Sequence, residues 1–167
     1  MSPVAKPSAQ RGVALLTTMM LLVMLTILAL AAYSLNTTQT RVATNSADSM
    51  VAYQTAEGTL AQAESDLFAG TYADSSFAAN SNGLYVFDPA AAPVWKDPAI
   101  WSSTNGVLQG FQGGSSAPAA YLIERLPSVS RPGSDMKTQT RVYRITARAV
   151  GKSGGSPVIL QSTVLVQ

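Results

Sequence analysis

The sequence VALLTTMMLLVMLTILALAAYSL, from Val13 to Leu35, decides the organisation of this 167-residue chain. Its only polar groups are three Thr, one Ser and one Tyr hydroxyl, and no charge occurs from Gly12 to Gln39. As a helix, these 23 residues rise about 35 Å, which is enough to cross a bilayer core of about 30 Å. Thr and Ser hydroxyls can bond to the preceding helical turn, so lipid tolerates them. The segment is predicted to span a membrane.

The residues before this segment predict its orientation and leave three interpretations open. Lys6 and Arg11 lie on its N-terminal side, so the positive-inside rule predicts a cytoplasmic N-terminus and a C-terminal part in the periplasm. The segment is a signal peptide cut near Ala32, a permanent single-pass anchor, or a helix released from its leader by cleavage after Gly12. The run exceeds the roughly 7–15 apolar residues of a usual signal peptide.

A second helical pattern follows without interruption and favours cleavage after Gly12. Residues 41–68 contain no Pro and a single Gly, Gly58. Alternating spacings of three and four residues predict one buried helical stripe, formed by Tyr53, Ala56, Leu60, Ala63 and Leu67. Gly70 is a predicted stop signal. We therefore predict one helix over residues 13–68, apolar over 13–35 and amphipathic over 36–68, after a leader of residues 1–12.

Residues 69–167 are predicted to form a globular region. Residues 69–120 read as a loop, in which Asp88-Pro89 and Asp97-Pro98 mark turns, and residues 113–116 as a flexible connector. Trp95 and Trp101 are expected to anchor this loop or to contact a partner. Strands are predicted at about 121–126, 141–150 and 157–167 from their β-branched and aromatic content. A three-stranded antiparallel sheet on the second half-helix gives an α+β fold.

Composition argues against catalysis and against nucleic-acid binding. The chain has no Cys and no His, which removes disulfides, Cys-ligated metals and the commonest general base. We expect no enzyme activity, no cofactor and no metal site. Glu57 and Glu64 stand seven residues apart on the helix, but with Asp66 they are interpreted as solvated charges. A chain starting at Val13 would carry nine basic and nine acidic residues, so general phosphate binding is not expected.

Basic residues concentrate in the C-terminal part. Arg144 and Arg148 alternate with the apolar positions of the second predicted strand, and they could form a basic face with Arg125, Lys137 and Arg141. The two interpretations are a solvated sheet surface and a docking surface for an acidic neighbour, for which charge complementarity would aid orientation.

Several segments resemble the type IV pilin and pseudopilin superfamily, and within it the PilX-type minor pilins. They are QRGVALL at 10–16, the uncharged run, AYQTAEGTLAQAE at 52–64, GLYVFDPAAAPVWKDPAIW at 83–101, and YRITARAVG with VILQSTV at 143–151 and 158–164. The resemblance implies a pilin-like fold and cleavage between Gly12 and Val13 by an inner-membrane prepilin peptidase. The same enzyme would methylate the new amino group of Val13.

The resemblance also implies a role and partners. Members of the family initiate or prime pilus assembly near the fibre tip, with other minor pilins, the major pilin and a tip adhesin, and contribute to adhesion and twitching motility. Most pilins carry Glu at the fifth mature position, where this chain has Thr17. By analogy, its absence favours a tip or initiating position. A minor pseudopilin of type II secretion and a secreted adhesive domain cleaved near Ala32 stay open as alternatives.

Overall fold

The computed structural model describes residues 10–130 and 139–166, with side chains described from Gly12 onward. Tertiary contacts divide the chain into two compact units, one ending at Asn45 and the other beginning at Ser46. Helix α1, Gln10–Phe68, belongs to both units and is followed by short elements and a sheet. The predicted α+β class is confirmed.

Helix α1 contains 59 residues and ends at the predicted stop. Gly70 has a φ of 74°, a left-handed conformation that glycine adopts without a steric penalty. The N–H of Thr71 donates to the carbonyl of Asp66 and that of Gly70 to Leu67, both at 3.1 Å. These two bonds form a Schellman motif, which satisfies carbonyls left without partners at the helix end.

The buried face of α1 differs in part from the predicted stripe. Ala56, Ala63 and Leu67 are buried as expected, but Tyr53 is 50% exposed, so its assignment to the core was wrong. The positions that replace it are small or β-branched, namely Ala52, Thr55 and Thr59. The hydroxyls of Thr55 and Thr59 each donate to the carbonyl four residues earlier, at 2.8 Å. With their polar groups satisfied, these threonines pack as small apolar residues.

The sheet contains the three predicted strands and two short ones. Strands β3 (Ala120–Val129), β4 (Thr140–Ala149) and β5 (Val158–Val166) pair antiparallel in sequence order. Strand β1 (Leu84–Val86) pairs with β3 in parallel, and β2 (Leu108–Gln109) pairs with β3 antiparallel. The sheet is therefore mixed and five-stranded, and the prediction of three antiparallel strands was incomplete.

The predicted loop over residues 69–120 contains ordered elements in addition to β1 and β2. These are helix α2 (Asp74–Phe77), a 3₁₀ turn (Val94–Lys96) and helix α3 (Pro98–Ser102). Asp97 is the N-cap of α3, and its side chain accepts a hydrogen bond of 2.9 Å from the N–H of Ala99. Asp97-Pro98 therefore begins a helix, because an acidic N-cap and a proline at the first helical position both favour one.

The main core lies between the second half of α1 and one face of the sheet. It contains Ala63 and Leu67 of α1, Phe77 of α2, and Tyr121, Ile123, Tyr143 and Ile145 of β3 and β4. The hydroxyls of Tyr72 and Tyr121 lie 2.7 Å apart. Burial raises the pKa of both phenols, because a low-dielectric interior disfavours phenolate. Both tyrosines are therefore neutral at physiological pH.

Residues 110–116 cross the small-residue face of α1 in close contact with it, and the flexibility predicted for residues 113–116 stays a prediction. A Cβ on Gly110 would collide with the side chain of Thr59. The Ser115 hydroxyl is buried and donates to the carbonyl of Val150 at 2.6 Å. The small side chains of the helix allow this backbone to approach it closely.

Candidate functional site

The apolar segment of α1 exposes its side chains along its whole length. All residues from Gly12 to Leu35 are exposed, and the thirteen Leu, Met, Val and Ile side chains among residues 13–30 are each at least 55% exposed. Among the described residues, α1 is the one helix long and apolar enough to cross a membrane. An exposed apolar surface of this extent indicates contact with lipid or with other proteins.

The threonines of this segment are satisfied inside the helix. The Thr17 hydroxyl lies 2.9 Å from the Ala14 carbonyl and 3.1 Å from that of Val13. Thr18 and Thr26 bond back to Leu15 and Leu22 at 2.8 and 2.7 Å. As predicted, these hydroxyls need no outside partner. Thr17 therefore carries neither a charge nor an unpaired hydroxyl.

Gly12 and Val13, the predicted processing residues, lie near the start of α1. The helix begins at Gln10, and a Cβ on Gly12 would meet no atom within 4 Å. Lys6 and most of the predicted leader lie outside the described residues. Cleavage after Gly12 and methylation of Val13 stay predictions.

The predicted basic face does not assemble, because the arginines lie on opposite faces of the sheet. Side chains alternate between the two faces of a strand. Arg141 and Tyr143 of β4 therefore lie on the face that packs against the core, and Arg144 and Arg148 lie on the outer face. The register pairs Arg125 of β3 with Tyr143, which puts Arg125 on the core side too. Lys137 lies outside the described residues.

A buried ion pair accounts for Arg144. Its Nε donates to Glu124 Oε2 at 2.8 Å, and its Nη2 lies at the same distance from that oxygen. The two residues stand directly opposite in the β3–β4 register, and Glu124 is 1% exposed. The Arg144 guanidinium also lies 5.4 Å from the Phe87 ring centroid. Arg144 is thus neutralised within the chain and is less suited to bind an acidic partner than predicted.

On the core-side face of the sheet, Asp74 pairs with an arginine of β4, as Glu124 does on the opposite face. Arg141 Nη2 lies 2.8 Å from Asp74 Oδ2, and the Tyr143 hydroxyl donates to Oδ1 of the same residue at 3.3 Å. Burial, with Asp74 nearby, raises the pKa of Tyr143. Arg125 lies 5.9 Å from the Phe77 ring centroid. These contacts join α2 to the sheet, and the position of Asp74 in the predicted loop offered no signal for them.

The two tryptophans and Arg148 form a cluster on the outer face of the sheet. The Trp101 indole N–H donates to the Trp95 carbonyl at 2.9 Å. The Arg148 guanidinium lies 5.8 Å from the Trp101 ring centroid, and Lys96 Nζ lies 5.4 Å from that of Trp95. The tryptophans therefore anchor their segment to β4 as one interpretation predicted, and they line a cleft of about 310 Å³.

The helix carboxylates Glu57 and Glu64 lie in different surroundings. Glu57 is exposed as predicted, whereas Glu64 is half-buried and its Oε1 accepts a 2.6 Å hydrogen bond from the Ser162 hydroxyl of β5. The prediction that Glu64 faces solvent was wrong, because the helix packs on β5 at this point. In the part of the chain that the structure describes, no three Asp or Glu residues are grouped as metal ligands.

Asp48 makes a further contact that the sequence analysis did not identify. Its carboxylate accepts hydrogen bonds from the Ser153 N–H at 2.8 Å and hydroxyl at 2.6 Å. These bonds lower the pKa of Asp48. Asp48 thereby joins α1 to the connection between β4 and β5, where Gly151 leaves room for the carboxylate.

A family model described as type IV pilus assembly protein PilX, C-terminal, matches residues 33–166. The chain belongs to this family. The match spans well over half of the chain, including the amphipathic part of α1 and the whole sheet. This PilX-family protein is a minor pilin of the type IV pilus, and it associates with the assembly machinery and with other pilins. No curated protein and no solved structure matches the chain.

The match begins at Tyr33, downstream of Gly12, Val13 and Thr17. The family assignment therefore rests on the globular region and the adjoining helix. The apolar helix fits a membrane-anchored pilus component. For this PilX-family chain, the interpretation as a secreted domain cleaved near Ala32 stays a prediction, because all the matched residues would remain after such a cleavage.

Proposed function

We propose that this minor pilin initiates type IV pilus assembly and occupies the fibre tip or a position near it. Before assembly, Val13–Leu35 holds it in the inner membrane, with the N-terminus cytoplasmic and the globular region periplasmic. A prepilin peptidase cleaves after Gly12 and methylates Val13, and the subunit then enters the extracellular fibre. In this position it contacts other minor pilins, the major pilin and a tip adhesin, and supports adhesion and twitching motility.

The observation that carries the proposal is the uncharged, exposed helix surface around Thr17. In a fibre, neighbouring helices replace the lipid around this surface, and a charge buried there without a partner is strongly destabilising. Because Thr17 is uncharged and its hydroxyl is bonded within its own helix, it does not neutralise the amino group of an adjacent subunit. A subunit that lacks this pairing is suited to begin a filament and is poorly suited to repeat along it.

Replacing Thr17 with Glu tests the position in the fibre. The matched control is Thr18→Glu, because Thr18 is the next residue and its hydroxyl is also bonded within the helix. We expect Thr17→Glu copies along the shaft in immunogold images of sheared pili, whereas the native chain and Thr18→Glu stay near one end or are excluded. An unchanged distribution of Thr17→Glu copies would remove the basis for the tip position.

The mature N-terminus tests the processing. Mass spectrometry of the protein from sheared pili should find a chain that begins at methylated Val13. A mature chain that begins near Ala32 contradicts the proposal, because it would lack most of the apolar segment of α1. A mature chain found in the type II secretion apparatus and absent from pili would indicate the pseudopilin role instead.

A further inference from the structure

Strand β5 forms an edge of the sheet and, within the described residues, has no charge, proline or bulge that would hinder pairing. Within the described residues it pairs with β4 alone, through nine consecutive residue pairs without a bulge, from Arg141↔Val166 to Ala149↔Val158. Its sequence, VILQSTVLV, contains no charge, no proline and no glycine. Proteins normally protect edge strands with charges, prolines, bulges or short length, since unpaired backbone groups can pair with another chain.

The outer face of β5 is partly apolar, and it adjoins the tryptophan cleft. Ile159 and Leu165 are 40% and 44% exposed, and the residues between them on that face, Gln161 and Thr163, are also exposed. Ile159 lies opposite Arg148 in the register and lines the cleft with Trp95, Lys96, Pro98 and Trp101. A strand added to β5 would therefore pass beside this cleft. Side-chain pockets along such an edge provide specificity in strand addition.

The charges of the cleft indicate what that strand carries. Lys96 and Arg148 are its two charged lining residues, and both are cations. Among the described residues, neither has a carboxylate within ion-pair distance. The Trp95 indole nitrogen is buried and has no acceptor among the described residues, and a buried donor without a partner is unfavourable. A carboxylate on the added strand would complement the positive charge of Lys96 and Arg148 in the cleft.

We propose that β5 and the tryptophan cleft bind an extended acidic segment of a different protein chain by strand addition. The backbone of the segment pairs with β5, and an Asp or Glu side chain enters the cleft between Lys96 and Arg148. A second copy that pairs through its own β5 does not fit, because that strand carries no carboxylate. The inference deepens the proposed association with other pilus proteins, but it does not depend on the tip position.

Photo-cross-linking of the full-length chain in piliated cells tests this surface. A photoreactive residue replaces Thr163, which is exposed on β5, and the matched control replaces Thr71, which is exposed just after α1. We expect cross-links from position 163 to a segment of another envelope protein that contains Asp or Glu. Their yield should exceed that from position 71 by about tenfold, since a strand added to the edge lies next to β5 and not next to position 71.

Charge reversal distinguishes the acidic segment from other occupants. The double variant Lys96→Glu with Arg148→Glu, made with the photoreactive residue at position 163, should lose about tenfold in cross-link yield because like charges then meet in the cleft. Its thermal unfolding temperature, compared with that of the parent, shows whether the domain remains folded, and the single variant Lys96→Glu replaces it if not.

Three results overturn the inference. They are cross-links solely between copies of this chain, an absence of cross-links above the level of position 71, and cross-links that persist after charge reversal. An unchanged distribution of Thr17→Glu copies would refute the tip position and leave this surface unaffected, so the two proposals fail separately.

Discussion

Replacing Arg144 with alanine would leave Glu124 buried without the cation that neutralises it. Glu124 is 1% exposed and the Arg144 side chain is 20% exposed. Breaking a buried ion pair by removing one partner typically destabilises a protein by about 3–5 kcal/mol. Because the Arg144 side chain is partly exposed, water can reach Glu124 in the variant. We therefore expect a destabilisation at the lower end of this range, about 3 kcal/mol.

This loss of stability can be measured by thermal unfolding of the full-length chain in detergent micelles, followed by near-ultraviolet circular dichroism of the Tyr and Trp side chains. For a domain of this size, each kcal/mol of lost unfolding free energy lowers the unfolding temperature by about 4 °C. The expected decrease is therefore about 12 °C. The double variant Glu124→Leu with Arg144→Met should recover most of this decrease, since apolar residues of similar volume often replace a buried ion pair without loss.

Arg148→Ala is the matched control, because Arg148 lies on the same face of β4 and contacts an aromatic ring but has no described carboxylate partner. Loss of its cation–π contact should cost about 1 kcal/mol. If Arg144→Ala and Arg148→Ala lower the unfolding temperature equally, the argument that burial of the Glu124 charge dominates is wrong.

Two further predictions concern the contact of Asp48 with the β4–β5 connection. Gly151→Ala should destabilise the domain by about 1–3 kcal/mol through overpacking, because the new Cβ would collide with the Asp48 carboxylate. The control is Gly155→Ala, whose Cβ would lie 3.4 Å from the same carboxylate. It should have a much smaller effect on the thermal unfolding temperature. Hydrogen bonds from Ser153 lower the pKa of Asp48 below its ordinary 3.8, so the carboxylate stabilises the fold above that pH and loses this contribution as the pH falls through the lowered pKa. Urea unfolding of the native chain and Asp48→Ala should therefore converge at low pH, and a gap that stays constant from neutral to strongly acidic pH would contradict this.

Local patterns in the sequence were sufficient to predict the main elements. The uncharged run and the absence of proline predicted α1, and Gly70 predicted its end. The three long strands were predicted from β-branched and aromatic content, with boundaries a few residues from those observed at most. The alternation of Tyr143 and Ile145 with Arg144 correctly separated the two faces of β4. Each of these signals depends on neighbouring residues and on the period of a helix or strand.

Contacts between distant segments were not predictable in the same way. Strand β1 has three residues and pairs with β3 about forty positions later in the chain, too short a strand to show a periodic signal. The burial of Thr55 and Thr59 depends on the backbone of residues 110–116, which lies against them. Glu64 faces β5 because of the way the helix packs on the sheet, and helical periodicity alone did not reveal it.

The sequence by itself determined an apolar helix that continues into an amphipathic one, a following α+β domain, and the absence of a carboxylate at Thr17. These properties follow from composition and local spacing. The tertiary structure decided which charges are neutralised and which edge is unpaired. Arg144 and Arg148 are alike in sequence, but the strand register sets Arg144 opposite Glu124 and Arg148 beside Trp101 and Ile159. Because pairing between strands depends on register over long separations, the structure was needed to separate a buried ion pair from a candidate docking surface.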